Sequence, residues 1–316
     1  MATTTKQPPG PPAGAALAGR SIARIGYGAM QLERHHADPA AGAEVLRRAI
    51  ELGVNHIDTA HFYGDGFVNG LVRRAVGDAD VLVASKVGAA PDPNGTLPLR
   101  PAQRPEELRA GVEDNLRSLG VDTIPIVYLR RLEVGPGLAA QGGQVVDIDD
   151  QLAEMTAMRD EGKIGAIGLS AVTTDTLRHA LPAGIACVQN PYNLLDRRFE
   201  DALSLCREHE IGWVPFFPLG SAFPGMAKVA EEPAVREAAS RAGVTASQLG
   251  LAWLLRHAEN VFIIPGTGNT VHLEENMAAG GIELDAVTRA TLDAVGAASV
   301  SAPVLAPSWP SGTGSD

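Results

Sequence analysis

Short runs rich in Val and Ile alternate along this chain with longer stretches whose apolar positions recur at helical spacing. Eight runs read as strands: 25–28, 56–58, 81–85, 126–129, 166–169, 186–189, 212–216 and 261–264. Most lack the apolar–polar alternation of a half-exposed strand, so they are expected to be buried on both faces, as in a parallel sheet. Between them, 43–52, 106–119, 149–160, 174–180, 196–209, 247–257 and 272–279 read as helices. In the first of these, Val45, Leu46, Ala49 and Ile50 share one face and Gly53 is the stop signal. Pro105 opens the second, Glu106 and Glu107 sit in its first turn, and Gly120 follows its end.

Regular strand–helix alternation with eight units predicts an α/β fold of the (β/α)8 TIM-barrel type, not an open doubly wound sheet. No GxGxxG stands at a first strand–helix turn, as a dinucleotide-binding open sheet would require. The barrel is expected as a single domain over 15–296, with an N-terminal hairpin and extra helices at 232–242 and 285–295. Residues 1–14 read as a disordered tail and 297–316 as a flexible C-terminal tail, because both are rich in Pro, Gly and Ser. The stretches 87–104 and 133–146 read as long loops over the C-terminal mouth, where barrel active sites form.

Composition narrows the function classes. A net charge of −11 argues against a nucleic-acid partner, whose phosphates it would repel. No run approaches the ~18 apolar residues of a membrane span, and the N-terminal stretch has no apolar core of a secretory signal, so a cytoplasmic location is expected. Cys187 and Cys206 have no CxxC or Cys/His neighbours and read as buried, reduced thiols. His35, His36, His56 and His61 lack metal-ligand spacing, so no metal is expected, and no GxSxG suggests a serine hydrolase. The partner expected is a small molecule, on a monomer or weak homo-oligomer.

The candidate chemistry lies at strand ends. The second strand runs into HIDTAHFYG, which carries Asp58 and Tyr63, and the third ends in VLVASK, which carries Lys86. A carboxylate, a phenol and an ammonium on neighbouring strands can converge at the mouth. An ammonium near Tyr63 is expected to lower its pKa, and Asp58 to hold Lys86 in place, so that the phenol exchanges a proton near neutral pH. Taken singly, each has a structural alternative: a helix cap, a packing residue, a surface lysine.

DTAHFYG followed by the strand-end lysine resembles the aldo-keto reductase family. Further segments are similar in order: GVD at 120–122, EGKIGAIGLS at 161–170, VQNPYNLLDR at 188–197, VPFFPLGSAF at 214–223 and IPGTGNTVHLEEN at 264–276. The resemblance implies NADP(H) bound across the mouth and hydride transfer to or from a carbonyl carbon, with Tyr63 exchanging the proton. It implies cofactor contacts at Gly28, Ala29, Met30 and Asp58, carboxamide contacts at Ser170 and Gln189, and an aromatic platform at Phe216 and Phe217. Leu219 and Ser221 fall at the pyrophosphate, Gly266, Thr267, Asn269 and His272 at the 2′-phosphate, and Glu275 and Asn276 at the adenine. Gln31, His61, Phe62, Tyr128 and Tyr192 are expected to line the substrate pocket.

Four positions depart from the family pattern. Arg130 stands where a catalytic histidine is usual; strand alternation puts it on one face with Ile126 and Tyr128, pointing inward. It is taken as a fourth catalytic residue, set against a plain structural salt bridge, and a similar arginine occurs in a pyridoxal-reductase-like bacterial branch. Ala171 replaces an asparagine, and Gly266 and His272 stand where Lys or Arg is common, which leaves NAD(H) as an alternative cofactor. An aromatic or heteroaromatic aldehyde is the leading substrate class, and a ketone on a secondary metabolite the second. A nucleotide-binding regulatory or scaffold protein of the same fold is the competing function.

Overall fold

The computed structural model describes residues 15–135, 137–220 and 226–299. A hairpin of β1 (Ala15–Leu17) and β2 (Arg20–Ile22) precedes the barrel. Then come β3 (Tyr27–Gly28), α1 (Pro39–Glu51), β4 (His56–Asp58), α2 (Phe67–Val76), β5 (Leu82–Val87), β6 (Ala89–Pro91), β7 (Leu99–Pro101) and α3 (Pro105–Leu119). They are followed by β8 (Ile124–Arg130), α4 (Ile148–Asp160), β9 (Ile164–Ser170), α5 (Thr174–Ala180), β10 (Ile185–Gln189), α6 (Glu200–Glu208) and β11 (Gly212–Trp213). The last helices are α7 (Pro233–Ala242), α8 (Ala246–His257), α9 (Thr270–Ala278) and α10 (Ala286–Ser299).

Seven strands form one parallel sheet in the order β11-β10-β9-β8-β5-β4-β3. Residues 261–264 close it. Val261 bridges Trp213 on β11, and Ile263 bridges Ile25 just before β3, both in parallel. The eighth strand is therefore present as two bridges, and the (β/α)8 barrel is complete. No helix among the described residues is long and apolar enough to cross a membrane.

Two apolar layers hold this shape. Outward residues of the strands, such as Ile57, Val127, Leu129, Ile167 and Val188, pack beneath the helices. Inward residues Leu82, Ala84, Ile126, Tyr128, Cys187, Val214, Phe262 and Ile264 fill the barrel, and Leu17 and Ile22 of the hairpin complete that interior core. Gly212 makes room for the hairpin, since a Cβ there would stand 2.3 Å from Leu17 Cδ1.

Within the barrel, the Tyr128 ring covers Gly168, where a Cβ would stand 2.4 Å from Tyr128 Cδ1. Gly168→Ala is therefore expected to cost about 1–3 kcal/mol by overpacking. Urea unfolding measures it, and an unchanged midpoint would show that the ring moves aside freely.

Several local expectations are corrected. The stretch 87–104 contains the β6–β7 hairpin, with Ala89 opposite Pro101. Helix α2 is absent from the sequence-based assignment. Its lead-in, Gly64, Asp65 and Gly66, has φ of 62°, 51° and 82°, turn geometry that hides the start of a helix. The helix expected from 196 begins only at Glu200, because the Asn193 side chain accepts from Leu195 and Asp196 N–H and winds 193–196 into a turn. The tail expected from 297 begins later, since α10 runs on to Ser299; residues 1–14 and 300–316 lie outside the described residues.

Candidate active site at the barrel mouth

Asp58 ends β4, and its neighbour in the ladder is Ala84 of β5, two residues before Lys86. Both side chains point into the barrel. Lys86 Nζ donates to Asp58 Oδ1 at 2.5 Å and to the Thr59 carbonyl at 3.0 Å. From across the barrel, Gln189 Nε2 donates to Asp58 Oδ2 at 2.6 Å. Both carboxylate oxygens are thereby engaged, and the ion pair is almost wholly buried. Lys86 Nζ lies 5.0 Å from the centroid of the Tyr63 ring. The three residues expected to converge do so.

Burial opposes the Lys86 charge, but the Asp58 carboxylate and the Tyr63 phenol outweigh it and hold the ammonium above its ordinary pKa. The expected fall in the Tyr63 pKa is not found. Burial raises it; Lys86 and Arg130 pull it down, Asp58 adds to the rise, and the net direction is upward. A phenol in this state is protonated at neutral pH, so it is set to donate a proton rather than accept one.

A polar network between the barrel wall and the helices steadies these strands. Thr59 Oγ1 donates to Asn69 Oδ1 at 2.8 Å, Asn69 Nδ2 to Asn115 Oδ1 at 2.9 Å, and Ser85 Oγ to Asn115 Oδ1 at 2.5 Å. Asn69 and Asn115 were missed in the sequence, yet each is a polar residue on the buried face of its helix, beside Leu71 and Val72 or Val112. A lone Asn among apolar positions is the signal that would have found them.

His56 sits one step deeper on the same face as Asp58. Both ring nitrogens are buried without a hydrogen-bond partner. Burial pushes its pKa from 6.5 down to about 4, with Lys86 assisting and Asp58 opposing. The unfolded chain therefore binds a proton below its own pKa that the folded barrel refuses. The share of stability tied to His56 falls as pH drops through that window and is gone below the folded value, a loss of about 3 kcal/mol. In His56→Leu the acid-side slope of stability between those two pH values should be shallower than in the wild type. Parallel slopes in urea titrations would contradict this.

The other expected site residues divide into those at the mouth and those elsewhere. Gly28 and Gly266 face each other so closely that a Cβ on Gly28 would stand 2.6 Å from the Ile264 carbonyl, and one on Gly266 would stand 2.5 Å from the Gly28 carbonyl. Ala29 is buried beside them, Met30 is exposed, and Gln31 Cγ flanks Gly266. Ser170 and Gln189 are paired neighbours at the ends of β9 and β10. Gln189 Oε1 is buried without a partner. Ala171 follows with φ 55°, so the backbone turns sharply there even without asparagine.

Phe216 and Phe217 meet edge to face at 5.0 Å, and Leu219 packs toward Gly250 of α8. Ser221 lies outside the described residues. The Thr267 carbonyl accepts the Tyr27 hydroxyl. Asn269 caps α9 by accepting from Val271 and His272 N–H, so its side chain is already committed. Asn276 is buried on α9, and the Glu275 carbonyl accepts from Gln248 Nε2 at 3.1 Å. Arg34 and His35, also missed, lie against Gly268; His35 Nε2 is 3.0 Å from its carbonyl. They bring basic groups from the turn after β3 to a loop that itself carries few.

Three pocket expectations are corrected. Tyr192 is fully buried between barrel and helices, near Trp213 and Trp253, with its hydroxyl shared by Glu200 and His257. Tyr128 lies inside the barrel as a floor beneath the site; its hydroxyl is beside Cys187 and Gln189 but makes no well-formed hydrogen bond. His61 turns toward the helices, with Nδ1 3.2 Å from Ser118 Oγ and Nε2 3.4 Å from Asp65. Phe62 stays at the site, edge-on to Tyr63 at 5.2 Å. Arg130 points inward as expected, with its guanidinium carbon 5.9 Å from the Phe62 ring centroid. Burial holds it below its ordinary pKa, and Tyr63 partly offsets this.

Residues 24–297 match the profile of the Aldo/keto reductase family. The chain is 37% identical over 292 residues to pyridoxine 4-dehydrogenase of Escherichia coli (strain K12), covering 88% of this chain and 96% of that protein. It is 33% identical over 285 residues to an uncharacterized oxidoreductase of Schizosaccharomyces pombe, with 87% of each covered. Among solved structures, an aldo-keto reductase from Klebsiella pneumoniae in complex with NADPH superposes with a TM-score of 0.74 at 25% identity, covering 90% of this chain and 94% of that one.

Proposed function

This chain belongs to the aldo/keto reductase family, and we propose that it is an NADP(H)-dependent oxidoreductase that interconverts an aldehyde or ketone and its alcohol. The observation that carries this reading is the buried Lys86–Asp58 pair beside the Tyr63 phenol. NADP(H), when bound, supplies or accepts the hydride. The rest is the work of this chain. Tyr63 gives its proton to the carbonyl oxygen, and the Lys86 ammonium stabilises the phenolate left behind. Asp58 keeps Lys86 charged and in place.

The mouth suits the cofactor. The orphaned Gln189 Oε1 is an acceptor of the kind a carboxamide N–H requires, and Ser170 stands next to it. Gly28 and Gly266 leave a cradle that side chains would fill. Phe216 offers an aromatic face for the nicotinamide, and the Arg34 side chain lies against Gly268 and brings a positive charge toward a 2′-phosphate. The similarity to pyridoxine 4-dehydrogenase favours a heteroaromatic aldehyde as substrate.

The test is NADPH oxidation with pyridoxal and a panel of aromatic aldehydes, alongside fluorescence titration with NADPH and NADH. Turnover with preferential NADPH binding is expected. Tight NADPH binding without turnover of any carbonyl would overturn the enzyme reading, and NADH bound as well as NADPH would overturn the cofactor assignment.

A further inference from the structure

Arg130 is a partly buried cation with no acidic partner among the described residues. Its neighbour Arg131 pairs with Glu133 at 2.6 Å, and Arg109 with Glu154 at 2.5 Å. The Arg130 guanidinium has no carboxylate and no hydrogen-bond acceptor among the described residues. Asp58, the carboxylate on the neighbouring wall, has both oxygens taken by Lys86 and Gln189. Among the described residues the titratable side chain acting on Arg130 is the Tyr63 phenol, which is neutral while its pKa stays high.

The charges of the mouth do not cancel. Among the described residues Lys86 and Asp58 balance each other and Arg130 is left over, so the mouth carries an excess positive charge. The position is held from the backbone. The Arg130 carbonyl accepts from Gln103 Nε2 at 2.8 Å and lies against Gly88, and Arg130 is in register with Ser170. Packing, not an ion pair, points this side chain at the mouth. A half-buried charge without a partner is only partly solvated, so it gains when a counter-charge enters. A guanidinium fork is suited to an oxyanion, which can accept two of its N–H groups.

We propose that Arg130 selects substrates whose carbonyl group has an ionised oxygen on the neighbouring ring atom, as in the phenolate of an ortho-hydroxy aromatic or heteroaromatic aldehyde. This rests on the carbonyl-reductase reading and names its substrate class. Tyr63 serves the carbonyl oxygen, and Arg130 pairs with the adjacent oxyanion. A 3-hydroxypyridine-4-carbaldehyde has this pattern; its 3-methoxy analogue keeps the shape and loses the charge.

The experiment compares kcat/KM for that hydroxy and methoxy pair in the wild type, Arg130→Lys and Arg130→Met, with NADPH. The wild type should prefer the hydroxy compound by about tenfold or more. In Arg130→Met the preference should collapse to near unity, and Arg130→Lys should restore part of it. Equal losses on both substrates, with the preference intact, would overturn the proposal. A second arm titrates benzoate into the NADP+-loaded protein. Binding should weaken by about tenfold in Arg130→Met, and unchanged binding would count against Arg130 as the anion's partner. If the wild type turns over no aldehyde, the carbonyl-reductase reading fails, while the benzoate arm still reports on Arg130.

Discussion

Tyr63→Phe is expected to lower kcat for carbonyl reduction by about 10²–10⁴-fold while NADPH still binds. The substitution removes one hydroxyl and keeps the ring, so the edge-to-face contact with Phe62 survives. What is lost is the group that donates to the carbonyl oxygen. The raised pKa of Tyr63 adds a directional signature. Reduction uses the protonated phenol, so its rate should stay level through neutral pH and fall only in alkali. Alcohol oxidation needs the phenolate, so its rate should climb with pH over the same range. Stopped-flow traces in both directions, with NADPH titration of each protein, check this. A Tyr63→Phe enzyme that keeps wild-type kcat would remove Tyr63 from the chemistry.

Lys86→Met is expected to damage both turnover and stability. The substitution leaves the Asp58 carboxylate buried with only Gln189 donating to it. Breaking a buried pair from one side costs about 3–5 kcal/mol, because the remaining charge is uncompensated. The double variant Asp58→Asn/Lys86→Met has no buried charge at this pair and should regain much of the stability. It should stay as inactive as the single variant, since no ammonium stabilises the Tyr63 phenolate. Urea unfolding and kcat/KM measured on the same preparations separate the two effects. A single variant as stable as the wild type would refute the uncompensated-charge argument.

The seven ladder strands, their parallel order and most helix ends were legible because burial on both faces and helix stop signals are written locally, as at Gly53 and Gly120. Other features depend on partners far along the chain. The run 261–264 read as a strand, but its two bridges, to β11 and to Ile25, which lies 238 positions from Ile263, are invisible to any local pattern. The β6–β7 hairpin and α2 were hidden behind turn residues that read as loop. Tyr192 looked like a pocket residue from its motif, but its direction was set by Trp213, Trp253, Glu200 and His257, which come together only in the folded layer.

The trio Asp58, Tyr63 and Lys86 could be named from the sequence because strand ends and spacing decide which residues reach the barrel mouth. The inward direction of Arg130 followed from the same alternation. Tertiary structure alone decided the state of these groups. The Tyr63 pKa moves up, not down, because desolvation outweighs the ammonium beside it. Among the described residues Arg130 is left without a counter-charge, because Lys86 and Gln189, reaching Asp58 from different strands, occupy both of its oxygens. Charge and dielectric at a site are sums over everything packed around it, and that sum exists only once the barrel has closed.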